Sequence, residues 1–216
     1  MNYVIRSFSD SETVAQALAQ LLTERLSAGG RAVLAGGTSA LRAYELFGWA
    51  DILWSRVQLI VSDERCVEPS SPDRNEKAIL QALGHSKFTF HRFTAELGPE
   101  AAAAQMEAVV QELVPFDVVV LGLGEDAHTA SLFPDRDLNF ETLVAPVFDA
   151  PKPPPKRVTL TPKALSQTQL LVYIATSAGK RQALQKVMRG EDVPPNHIPA
   201  SEVWILCDEA ACGEPA

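Results

Sequence analysis

The spacing of hydrophobic positions along the chain switches repeatedly between two patterns. From Ser9 to Ala28 the apolar residues Val14, Ala17, Leu18, Leu21, Leu22 and Leu26 lie three and four apart. That spacing puts them on one face of a helix. Ser9 with Glu12 has the form of a capping box ahead of it, and Gly29-Gly30 the form of a stop. Helical patterns recur over 38–47, 75–83, 100–113 and 178–188. Short apolar runs stand between them at 31–35, 57–61, 117–121, 157–161, 170–175 and 203–206, and a more mixed run at 3–8. Short runs bounded by turn residues read as strands, the mixed first one as an edge strand. Strands that alternate with helices need crossover connections. The predicted fold class is therefore α/β, a doubly wound, mainly parallel, Rossmann-like sheet with helices on both faces. Four prolines fall within 149–156 between two predicted strands, so this segment reads as a surface loop and not a linker. A chain of 216 residues fits one domain, 1–216, that buries roughly 70% of its unfolded surface.

Charge and cysteine content narrow the classes. Nineteen basic and 27 acidic side chains give a net charge of −8. This argues against a nucleic-acid binder, which needs a basic face to displace counterions. A small anionic ligand remains compatible, because a few cations can dominate one cleft. The cysteines, Cys66, Cys207 and Cys212, are odd in number and form no C-x-x-C pair, so no disulfide framework and a reducing compartment are expected. The first residues are too polar for a signal peptide, and no apolar run approaches the ~18–20 residues of a membrane span. The expectation is a cytoplasmic protein. The four histidines are not at metal-ligand spacing, so neither a metal nor another cofactor is expected.

In doubly wound sheets ligands bind beyond the carboxyl ends of the strands, so chemistry is sought there. Strand 31–35 runs into Gly36-Gly37-Thr38-Ser39 at a helix start, a cradle for an anion. The plainer alternative is that Thr38 or Ser39 only caps the helix. Strand 57–61 ends in Ser62-Asp63-Glu64-Arg65. Arg65 could fork onto a phosphate and Asp63 could hold a histidine, or the three charges could form a solvated turn. Strand 117–121 leads into Gly122-Leu123-Gly124-Glu125-Asp126-Ala127-His128. The first six of these match a dinucleotide fingerprint, but Pro134 follows too soon for a crossover helix. What remains is a glycine-rich strand exit that presents Asp126 and His128, and imidazole moves protons near neutrality. Lys180 after Gly179 offers a point charge at another helix start, and Arg157 is either a cleft cation or a rim residue.

At these residues the sequence resembles the 6-phosphogluconolactonase family over nearly its whole length. The strongest motif is Gly122-x-Gly124-x-Asp126-x-His128-Thr129-Ala130-Ser131-Leu132-Phe133-Pro134. It is joined in the family's order by Gly36-Gly37-Thr38-Ser39, by Asp63-Glu64-Arg65 with Asn75, by 157–161 and by Gly179-Lys180. The chain departs from the family at Ala127, usually glycine, at Ala40, usually proline, and at Arg74, usually serine. The resemblance implies hydrolysis of 6-phospho-D-glucono-1,5-lactone to 6-phospho-D-gluconate, without a metal. It implies that His128 is the general base, oriented by Asp63 or Asp126. Gly36, Gly37, Thr38, Ser39, Arg65, Arg157 and Lys180 are implied for the substrate and its phosphate. The expected partner is a small phosphorylated sugar lactone, with no nucleic acid or membrane, and the chain is expected to be a monomer or weak homo-oligomer. A sugar-phosphate isomerase or deaminase, or a non-catalytic sugar-phosphate-binding module, are the alternatives.

Overall fold

The computed structural model describes residues 2–85 and 87–213. In chain order it runs β1 (Val4–Phe8), α1 (Ser11–Arg25), β2 (Gly30–Leu34), α2 (Thr38–Phe47), β3 (Val57–Val61), β4 (Asp63–Arg65), α3 (Asn75–Leu83) and β5 (Thr89–His91). It continues through α4 (Pro99–Leu113), β6 (Phe116–Gly122), β7 (Val144–Val147), β8 (Arg157–Leu160), α5 (Pro162–Leu165), β9 (Thr168–Ala175), α6 (Arg181–Met188), β10 (Val203–Asp208) and α7 (Glu209–Cys212). Seven strands form one sheet in the order β1-β10-β9-β6-β2-β3-β5, with all neighbours parallel. The central strands β6 and β9 are apolar on both faces and almost wholly buried, as covered parallel strands require. β1 is the exposed edge, as its mixed pattern predicts.

The chain moves outward from β2 through β3 to β5. It then returns to the other side of β2 with β6 and moves outward again through β9 and β10. The winding direction reverses between β2 and β6. The crevice at such a reversal, beyond the strand ends, is where a doubly wound sheet binds its ligand.

Several expectations need correction. The segment 157–161 is a strand, but not of the main sheet: β4, β8 and β7 form a separate antiparallel sheet in that order. β4 is not a solvated turn. Glu64 within it is fully buried and accepts the N–H groups of Arg65, Asn75 and Glu76 at 2.7, 2.8 and 2.9 Å. It thereby caps α3 from outside the helix. Burial pushes its carboxyl up to about 7, against those three donors and the Arg74 guanidinium. The N-cap of α1 is Asp10, which accepts from Thr13 N at 2.8 Å, and not Ser9. With Asp10 as N-cap, Glu12 is not at the third helical position a capping box needs, and it pairs with Arg42 instead. The sulfurs of Cys207 and Cys212 form a disulfide between the end of β10 and α7, where the sequence suggested none. Cys66 is unpaired, and burial pushes its thiol up to about 11. Among the described residues no helix is long and apolar enough to cross a membrane.

Candidate active site

The loop after β2 is held from beneath. Tyr44 on α2 is fully buried, and its hydroxyl accepts from Ala35 N at 3.1 Å and donates to Ala35 O at 3.2 Å. Gly36 packs so closely on Asn75 that any Cβ there would overlap the Asn75 side chain. Gly37 is the N-cap of α2, and no side chain caps the helix. The capping alternative for Thr38 and Ser39 is therefore not what the structure shows. Both lie in the first turn, at the positive end of the helix dipole.

The loop after β6 folds tightly on itself. Gly124 N donates to His128 O at 2.8 Å, Ala127 N to Gly124 O at 3.0 Å, and the Thr129 hydroxyl to Gly122 O at 2.8 Å. No helix follows β6, which agrees with setting aside the dinucleotide pattern. Ala127 has φ 72°, the left-handed region, with its methyl buried. This is the geometry for which a glycine is the unstrained choice, at a cost to alanine of roughly 1–2 kcal/mol.

The loop brings His128 and Asp126 together. His128 Nδ1 lies 2.5 Å from Asp126 Oδ1, and the ring packs on Phe133 with centroids 5.1 Å apart. Burial works against the Asp126 charge, but the hydrogen bonds and charge of His128 outweigh it and hold the carboxyl below the usual carboxylate range. An ionised carboxylate only accepts, so Nδ1 carries a proton toward Asp126, and in the neutral imidazole the lone pair is on Nε2. Nε2 bonds to none of the described residues, and the histidine faces the cleft.

Asp63 does a different job. Its carboxylate accepts from the Ser131 hydroxyl at 2.7 Å and the Ser62 hydroxyl at 3.1 Å, and it is buried and makes no hydrogen bond to the imidazole. It anchors the loop three residues beyond His128. Of the two aspartates left open by the sequence, Asp126 is the one that touches the ring.

Gly36, Gly37, Thr38, Ser39, Asp63, Arg65, His128, Arg157 and Lys180 all line one cleft of about 180 Å³ at the β2/β6 reversal. Asp126 backs this cleft through His128. Arg65 donates from Nη1 to Asp73 O at 2.8 Å, and its buried Nε has no partner. Lys180 makes no ion pair with the described residues. Arg157 reaches the cleft wall, but Nε and Nη2 are committed to Pro154 O and Lys152 O at 2.9 and 2.8 Å. It fastens the proline-rich loop, and burial lowers its pKa. That loop carries a cation absent from the sequence reading, Lys152. A lysine among prolines has no periodic signal, and the Arg157 bond to its carbonyl is one of the contacts that hold this loop at the cleft. A larger depression, about 740 Å³ beside Trp49, Leu53 and Leu83, holds none of the strand-end residues.

Fold and cleft together define a doubly wound α/β protein with a histidine–aspartate pair facing a cation-lined cleft at the strand ends. The chain belongs to the family described as glucosamine-6-phosphate isomerases/6-phosphogluconolactonase, whose model matches residues 9–210. It is 35% identical to the 6-phosphogluconolactonase of Homo sapiens, over 96% of this chain and 92% of that one. It is 33% identical to that of Mycobacterium leprae over the full length of both. The solved 6-phosphogluconolactonase of Trypanosoma brucei superimposes with a TM-score of 0.89 over 100% of this chain and 99% of that one, at 21% identity, a likeness of fold.

Proposed function

We infer that the protein hydrolyses 6-phospho-D-glucono-1,5-lactone to 6-phospho-D-gluconate, a step of the pentose phosphate pathway. Full-length relatives at 33–35% identity carry this activity in their names. The observation that carries the reading to chemistry is the His128–Asp126 pair, with Nε2 open, in the same cleft as Lys180, Arg65 and the uncapped start of α2.

Water attacks the lactone carbonyl and His128 Nε2 takes its proton. General-base help of this kind is worth about 10²–10⁴ in rate. Asp126 fixes the tautomer and steadies the imidazolium that forms. The tetrahedral intermediate collapses with cleavage of the ring C–O bond, and the imidazolium returns the proton to the departing ring oxygen. Gly37, Thr38, Ser39, Arg65 and Lys180 hold the phosphate, and Gly36 lets that loop sit close against Asn75. Asp63 keeps the His128 loop in place through Ser131, and Arg157 keeps the 149–156 loop over the cleft. Cations gathered at one site explain how a chain of net charge −8 takes a dianionic ligand.

An isomerase or deaminase needs a carboxylate base at an opened sugar, whereas the group poised here is an imidazole. The test is acid release from freshly prepared lactone with the spontaneous rate subtracted. Release proportional to protein concentration supports the reading. Ammonia release from an amino-sugar phosphate, or binding without turnover, overturns it.

A further inference from the structure

We propose that Asp208, at the end of β10, is a positioning residue that sets Lys180 for the substrate's phosphate. The inference rests on the reading that Lys180 contacts that phosphate.

Lys180 closes a single turn, Ala178–Lys180, between β9 and α6. A free lysine on such a turn has many accessible positions, and a useful charge needs one. The turn is clamped at its start to the last residue of β10 and just past its end to α7. At its start, Ser177 N donates to both carboxylate oxygens of Asp208, at 3.0 and 2.9 Å. Ser177 has φ 81°, a strained conformation for a residue with a Cβ, so something must hold it. Just past its end, Arg181 donates from Nε and Nη2 to Ala210 O on α7, at 3.2 and 2.9 Å. Lys180 lies between the two clamps. Asp208 is buried, and its Oδ1 also caps α7 by accepting Ala211 N at 2.8 Å. The Cys207–Cys212 disulfide closes the same segment onto β10. The platform beside Lys180 is thus tied down at several points, and among the described residues Asp208 is the side chain of it that hydrogen-bonds the turn.

An N-cap role alone would explain Ala211 N but not the two bonds to Ser177 N. The two roles separate by substitution. In Asp208→Asn the amide oxygen at Oδ1 still caps α7 and keeps one of the two Ser177 N bonds, while the other bond is lost because the NH₂ group there faces Ser177 N, donor against donor. Asp208→Ser keeps a capping hydroxyl but is too short to span to Ser177.

The test is steady-state kinetics with the phosphogluconolactone, together with competitive inhibition by inorganic phosphate. Asp208→Asn and Asp208→Ser raise KM and the phosphate inhibition constant in parallel, by roughly five- to tenfold, less than the full loss of a charge-assisted contact. Their kcat stays within about twofold, because the His128 loop is untouched. In a Lys180→Ala background the same substitutions shift KM by less than about twofold, since there is no longer an ammonium to place. An unchanged KM in the folded single variants overturns the proposal. So does an equal KM increase with and without Lys180, which is what a purely structural role gives. An unchanged KM in Lys180→Ala itself would instead overturn the phosphate assignment on which the proposal rests.

Discussion

Replacing Gly124 by alanine adds one methyl group, and the structure fixes where it goes. A Cβ at this position overlaps Nδ1 and Cε1 of His128 and comes within 2.6 Å of Asp126 Oδ1. Real Cβ atoms do not tolerate such approaches, so ring and carboxylate both have to move from the positions in which they pair. The obstructed atoms belong to side chains, and the bonds Gly124 N to His128 O and Ala127 N to Gly124 O can survive. The variant then keeps its fold and loses the 2.5 Å contact that fixes the imidazole tautomer. Forfeiting general-base assistance costs about 10²–10⁴ in kcat. At ~1.36 kcal/mol per decade, that is about 2.7–5.5 kcal/mol of barrier. The stability cost is smaller: crowding takes roughly 1–3 kcal/mol, and the stiffer unfolded chain returns about 0.4–1. At ~2–4 °C per kcal/mol for a chain of this size, Tm falls by at most about 10 °C. The assay is initial-rate acid release from fresh lactone, with circular dichroism on the same samples. A folded Gly124→Ala variant with kcat within threefold of the parent would refute the reasoning, because the dyad would then be dispensable.

Three other outcomes follow from the same geometry. Lys180→Ala raises KM at least about tenfold with kcat nearly unchanged, the loss of one charge-assisted contact of ~1.5–3 kcal/mol; an unchanged KM would place the phosphate elsewhere. Asp126, held below the usual carboxylate range by His128, stays ionised through the pH range where ordinary carboxyls titrate. The acid limb of log kcat/KM against pH therefore rises with unit slope, and a slope approaching two would show the carboxylate titrating as well. At Ala127, glycine relieves roughly 1–2 kcal/mol of left-handed strain but gives up a buried methyl and some chain stiffness of comparable total, so Ala127→Gly changes stability by no more than about 1 kcal/mol. Ala127→Val, branched at φ 72° in a filled site, destabilises by at least about 2 kcal/mol, and equal denaturation midpoints for the two variants would contradict this account.

The elements legible in the sequence were those whose periodicity comes from burial. α2, β3 and α3 fall on the expected residues because one face, or for β3 both faces, must be apolar. The strands that escaped were β4, β5 and β7, of three or four residues. β4 is made of Asp63, Glu64 and Arg65, buried through hydrogen bonds and not hydrophobicity, and no hydrophobic pattern records that. The strand-end residues named as candidates do converge on one cleft, because topology alone puts the ends of β2 and β6 side by side. What the residue types could not reveal was their division of labour. Asp63 and Asp126 read alike in sequence, yet one holds Ser131 and the other the imidazole. Arg157 reads as either a cleft cation or a rim residue, yet two backbone carbonyls occupy its Nε and Nη2 donors. Asp208 carries no sequence signal, because the partner that matters, Ser177 N, lies 31 residues away in the chain.

The central claim is that the imidazole of His128 is the base in the lactone-hydrolysing cleft, and the direct measurement is the turnover of His128→Ala with freshly prepared 6-phosphogluconolactone. The account predicts that kcat drops at least about a hundredfold while the variant still binds inorganic phosphate as the parent does. Turnover equal to that of the parent, in a folded variant, would contradict it.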